Sequence, residues 1–97
     1  MATNYVLSSI AEQDIDEVIT YIAQENSQAA YDLVGTLYES FEKLADNPYL
    51  GHVHEDLTEQ PVRFWTFKWH YLVVYQPTQP LQIVRVLSGF RDIVNLI

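Results

Sequence analysis

Residues Leu81 to Asp92 read LQIVRVLSGFRD, and the interpretation of this stretch decides the fold. From Leu81 to Leu87 an apolar run rich in Val and Ile is interrupted only by Gln82 and Arg85, with Pro80 before it and Gly89 beyond it. Such a run, fenced by proline and glycine, predicts a central strand buried on both faces. Arg85 is the anomaly. A buried guanidinium needs a carboxylate partner or an open groove, because an unpaired charge away from water is strongly destabilising. Arg91 and Asp92 follow Gly89, where the chain is expected to turn off the sheet.

Working outward, two more strands precede this one: Val62 to Phe67 and His70 to Gln76. Pro77-Thr78-Gln79-Pro80 supplies the last hairpin, its prolines kept outside the ladder. Tyr49 to Pro61 contains Gly51, two histidines and several acids without periodicity, which reads as a loop. Upstream, Ala30, Leu33, Val34, Leu37, Phe41, Leu44 and Ala45 keep helical spacing, begun by Asn26-Ser27 and ended by Asn47-Pro48. Gly35 falls inside this helix and is expected to let a neighbouring helix approach closely. A first helix carries Ala11, Ile15, Val18, Ile19 and Ile22 on one stripe and runs to about Gln24. Ser9-x-x-Glu12 matches a capping box at its start, and Glu12, Asp14, Asp16 and Glu17 are expected mostly on the wet side. A short strand, Asn4 to Leu7, opens the chain and is expected at one edge of the sheet. The order β-α-α-β-β-β predicts an α+β fold, a helical hairpin packed on a mainly antiparallel four-stranded sheet. Residues 1–97 are expected to form a single domain.

Charge is unevenly placed along the 97 residues. The net value is −8, yet residues 1–59 carry twelve acids against Lys43 alone, while Arg63, Lys68, Arg85 and Arg91 face only Asp92 in the remainder. An acidic whole argues against a nonspecific nucleic-acid binder, whose affinity comes largely from neutralising phosphates. Absence of cysteine excludes disulfides and thiolate chemistry. No apolar run is long enough to span a membrane, and MATNYVLSSI does not resemble a secretion signal, so a cytoplasmic protein is expected.

Local motifs follow one another in a recognisable order: LSSIAEQDIDEVITYI at the first helix, Asp46-Asn47-Pro48-Tyr49-Leu50-Gly51 after the second, Arg63-x-Trp65, Tyr71-Leu72-Val73-Val74-Tyr75, and Arg85-Val86-Leu87-Ser88-Gly89-Phe90-Arg91-Asp92. Over roughly residues 4–93 this series resembles the RelE/ParE toxins of type II toxin–antitoxin systems. The RelE branch resembles metal-independent, ribosome-dependent mRNA nucleases, in which cations stabilise a phosphate transition state and a further side chain moves protons. Arg63 and Arg91 match two basic positions of that branch. Trp65 and Leu72 replace two others, Ser88 stands where many relatives carry histidine, and Ile97 falls where a catalytic tyrosine would be. The depleted set is similar to the ParE branch. That resemblance implies a toxin that breaks no bond itself, poisons DNA gyrase, and is neutralised by a ParD-type antitoxin, without cofactor, metal or sequence-specific nucleic-acid binding of its own. Arg63, Arg85, Phe90 and Arg91 are the expected target-binding residues. The alternatives are an mRNA interferase using His70 or Tyr71 as substitute catalytic groups, and a non-toxic relative that only binds an antitoxin.

Other features have plainer readings. His52 and His54, with Glu55 and Asp56 after them, supply only part of a metal site and read as a solvated loop. Trp65, Phe67, Trp69 and Tyr71 alternate in a way that resembles a stacking platform, but half of them are expected in the core. Acids at the start of the first helix suit its dipole without any catalytic role, and the plain alternative for Arg85 and Arg91 is a structural ion pair with Asp92 or a first-helix carboxylate.

Overall fold

The computed structural model describes residues 4–68 and 71–89. Within them the chain forms β1 (Tyr5–Leu7), α1 (Ser9–Glu25), α2 (Ser27–Asp46), β2 (Arg63–Phe67), β3 (Tyr71–Gln76) and β4 (Leu81–Ser88). The strand order across the sheet is β1-β4-β3-β2. β4 therefore lies inside the sheet, as its apolar run requires. Its neighbour β1 is parallel to it, with Tyr5 opposite Leu81 and Leu7 opposite Ile83, and β1 takes the edge. β3 is antiparallel to both β4 and β2. Element limits differ from expectation by a residue or so: β1 and β2 begin one position later, α1 extends to Glu25, and β4 extends to Ser88. His70 and Trp69 lie outside the described residues.

The two helices bury the stripes their spacing defines. Ala11 and Ile15 of α1, and Leu33, Leu37, Phe41 and Leu44 of α2, meet Phe67, Tyr71, Val73, Tyr75, Leu81, Ile83 and Val86 of the sheet, while Val18, Ile19 and Ile22 pack against that core. Each large apolar side chain so buried is worth about 1.5–3 kcal/mol. Asn26 joins the helices by itself: its amide donates to the Ile22 carbonyl, and its side chain accepts from the Ala29 amide. Three details correct the sequence reading. The N-cap of α1 is Ser8 and not Ser9, its Oγ accepting from the Ala11 amide at 2.9 Å. Asp14 is buried, not on the wet side, because it lies three residues after Ala11 and four before Val18, on the stripe itself. Gly35 is exposed and a Cβ there would meet nothing within 4 Å, so it admits no close helix approach.

β4 changes register partway along. Tyr75 faces Ile83 and Val74 faces Arg85, which leaves Val84 as an extra residue. Strict alternation would set Arg85 on the side of Leu81 and Ile83. With the extra residue, Val86 rejoins the core beneath the helices and Leu87 joins a second cluster. That cluster, Val62, Phe64, Leu72, Val74 and Leu87, occupies the opposite face of the sheet, with Leu57 of the preceding loop packed on it. The 49–61 segment is thus an attached loop. His52 also exchanges both backbone hydrogen bonds with Phe64, each 2.8 Å, extending the sheet by one bridge beyond β2.

Candidate functional site

The two described cations singled out from sequence, Arg85 and Arg63, are held by different elements. Arg85 is taken up by α1. Its Nε donates to Asp14 Oδ2 at 2.8 Å and its Nη2 to Oδ1 at 2.9 Å, a two-pronged pair that uses both carboxylate oxygens. Asp14 Oδ2 also accepts the Val86 amide at 3.0 Å. Hydrogen bonding to Asp14 raises the Arg85 pKa above its ordinary value despite opposing burial, and the charges of Asp14 and Glu17 act in the same direction. Ser8 completes the stitch: its Oγ donates to the Val84 carbonyl at 2.8 Å, and its amide donates to the Ile83 carbonyl. The start of α1 therefore satisfies backbone groups of β4 just beyond the point where β1 ends.

Arg63 opens β2, the strand at the far edge of the sheet from β1, and is held by the turn after α2. Its Nη1 donates to the Gly51 carbonyl at 2.7 Å and makes a longer contact, 3.4 Å, with the Tyr49 carbonyl. The guanidinium carbon stands 4.9 Å from the centre of the exposed Tyr49 ring, in cation–π range. Among the described residues no carboxylate lies within ion-pair distance of Arg63. Arg63 also lines a groove of about 530 Å³ together with Tyr49, Val53, Glu55, Glu59 and Pro77 among others. The groove offers a cation, an aromatic ring and a proline to a partner, with two carboxylates on its walls.

Tyr75, to which the sequence reading gave no role, organises this turn. Its phenol donates to the Pro48 carbonyl at 2.7 Å and accepts the Gly51 amide at 2.8 Å. Burial pushes the phenol pKa up, with the Gly51 hydrogen bond and the Arg63 charge pulling the other way. Gly51 is required by this approach: a Cβ there would stand 2.5 Å from the Tyr75 oxygen and 2.9 Å from the Phe64 carbonyl oxygen. The signal available in the sequence was the Asn47-Pro48-Tyr49-Leu50-Gly51 segment, whose glycine needs a neighbour to explain it.

Phe90 and Arg91 lie outside the described residues, as does Ile97. Leu72 is fully buried in the second cluster, and Trp65 packs partly buried against the main core with Lys43 Nζ 5.6 Å from its ring centre. Phe67 and Tyr71 are core residues, so this part of the aromatic series packs inward. Burial, followed by the influence of Tyr21, raises the Tyr71 pKa. Ser88 is exposed at the end of β4. Gly89 follows at φ 89°, a conformation L side chains rarely adopt, which explains a glycine where the chain leaves the sheet. The His54 ring packs edge-on to Phe64 and lies 3.9 Å from Asp56. Among the described residues no three His, Asp or Glu side chains converge as metal ligands, and no helix is long and apolar enough to cross a membrane.

A family model described as the ParE toxin of the type II toxin–antitoxin system, parDE, matches residues 5–93. No curated protein matches the chain. Among solved structures, the chain is similar to one from the chromosomal ParDE TA system from P. aeruginosa, with a TM-score of 0.71 and 18% identity. The likeness covers 89% of this chain and 95% of that one, and at such identity it concerns the fold.

Proposed function

The chain belongs to the ParE toxin family of type II toxin–antitoxin systems, and from that premise we propose that it arrests growth by poisoning DNA gyrase, holding the enzyme on cleaved DNA, until a ParD-type antitoxin covers it. The observation that carries this reading is the family match across residues 5–93. The site supports a binding role over a catalytic one. Leu72, at a position where the nuclease branch carries arginine, is fully buried. Tyr71, a candidate substitute base, is buried with its proton held more tightly than usual, which opposes general-base work near neutral pH. Arg63 lines a groove, has no carboxylate partner among the described residues, and is read as a contact for a protein target. Phe90 and Arg91 are proposed as further target contacts. Arg85 contributes indirectly, by fixing β4 through Asp14.

In this reading the single domain acts in the cytoplasm without cofactor or metal, and the toxin and antitoxin form a hetero-oligomer. Its test is expression of the chain with and without a co-expressed ParD-type antitoxin from the same operon. Growth arrest with induction of the DNA-damage response, relieved by the antitoxin, is expected. Harmless expression of the folded chain alone would instead identify a relative that only binds an antitoxin.

A further inference from the structure

We propose that Tyr75 is a positioning residue for the target-binding surface: its hydroxyl locks the Pro48–Gly51 turn so that Arg63 is held away from Glu55 and Glu59 and presented to the target. This rests on the reading of Arg63 as a target contact. The residues close a small loop of interactions. Tyr75 is the cross-strand partner of Arg63 in the β2–β3 ladder. The same Tyr75 hydroxyl ties both ends of the turn, Pro48 and Gly51, whose Gly51 carbonyl, with that of Tyr49, receives the Arg63 guanidinium. Tyr75 is fully buried and cannot itself touch a partner. Its effect must pass through the turn.

The electrostatic setting explains why a tether matters. A free arginine samples many rotamers, and holding it in one carries an entropic cost. Glu55 and Glu59 line the same groove as Arg63. Freed from the two carbonyls, the guanidinium has two carboxylates on the groove walls that would neutralise it, in a protein whose first 59 residues are strongly acidic. Carbonyl acceptors hold the group without cancelling its charge. Removing the Tyr75 hydroxyl leaves the Pro48 carbonyl and Gly51 amide without that partner. The His52–Phe64 bridge continues to attach the loop to β2, so the turn loosens while the sheet persists.

The test compares growth arrest by the full chain, expressed without antitoxin at matched levels, for Tyr75→Phe, Arg63→Ala, and Tyr75→Phe combined with Glu55→Gln and Glu59→Gln. Circular dichroism and thermal unfolding of each purified chain verify folding. Tyr75→Phe is expected to need at least tenfold more protein for arrest, as Arg63→Ala does. The combined variant is expected to recover most of that loss, which a merely structural role for Tyr75 would not produce. Should Tyr75→Phe fail to fold, hydrogen exchange of the Gly51 amide in the wild-type chain replaces it: protection matching that of the β3 amides is expected, and exchange at the rate of an open loop overturns the lock. Wild-type potency of the folded Tyr75→Phe chain, or a loss that the two glutamine substitutions do not relieve, overturns the proposal while leaving Arg63 as a target contact. Wild-type potency of Arg63→Ala removes the premise itself.

Discussion

Asp14 and Arg85, 71 residues apart in sequence, form a two-pronged ion pair that fastens α1 to the irregular middle of β4. Their side chains retain only 11% and 16% exposure, so the pair is far from an ordinary surface contact. The carboxylate does a second job by accepting the Val86 amide.

Asp14→Ala leaves a guanidinium and a backbone amide without this partner in a largely buried place. A loss of about 3 kcal/mol in unfolding free energy is expected, measured by urea denaturation. In a domain of this size that corresponds to a fall in Tm of roughly 12–24 °C. A loss under about 1 kcal/mol would place the pair with exposed salt bridges.

Gly35→Ala is expected to stabilise the protein by about 0.5–1 kcal/mol, since the position is exposed, helical and free of neighbours around an added Cβ. Thermal unfolding would show it. A destabilised variant would mean that something does pack over Gly35.

Alkaline pH should unfold the protein earlier than exposed tyrosines alone would allow. Burial raises the pKa values of Tyr5, Tyr71 and Tyr75 above 10.0 in the folded state. The folded chain therefore retains these protons where the unfolded chain has lost them. Their contribution is fully present below about pH 10 and is lost as pH rises through the folded-state values. Ultraviolet titration of phenolate against far-ultraviolet circular dichroism is expected to show the last tyrosines ionising together with unfolding. Full ionisation of every tyrosine in a still-folded chain would contradict this.

The helices and strands were legible because their apolar residues keep the two periods that burial imposes. Both halves of the central ion pair were also present in the sequence: Arg85 demanded a partner, and Asp14 lies on the stripe of Ala11 and Val18. What the sequence leaves open is which of the first-helix acids, Glu12, Asp14, Asp16 or Glu17, is the partner. The cap illustrates a different limit. Ser8 and Ser9 both qualify locally, and the choice falls to Ser8, which also bonds the distant Val84 carbonyl. The extra residue at Val84 has no local signature, so the way Arg85 departs from alternation was hidden. Nor did the aperiodic 49–61 loop announce its bridge to Phe64 or its dependence on Tyr75. Of the expected target residues, Arg63 is seated in a groove, Arg85 is committed to α1, and Phe90 and Arg91 lie outside the described residues.

The most direct test of a gyrase poison against a nuclease applies the purified wild-type chain and Arg91→Ala to two reactions in parallel: DNA gyrase with plasmid DNA, and translating ribosomes with mRNA. The wild type is expected to accumulate gyrase-bound cleaved DNA and to leave ribosome-bound mRNA intact. Arg91→Ala is expected to lose the gyrase effect while keeping its fold and its affinity for the antitoxin. Cleavage of ribosome-bound mRNA by the wild type, abolished in Arg91→Ala, with gyrase untouched, would contradict the proposed function and establish the chain as a nuclease.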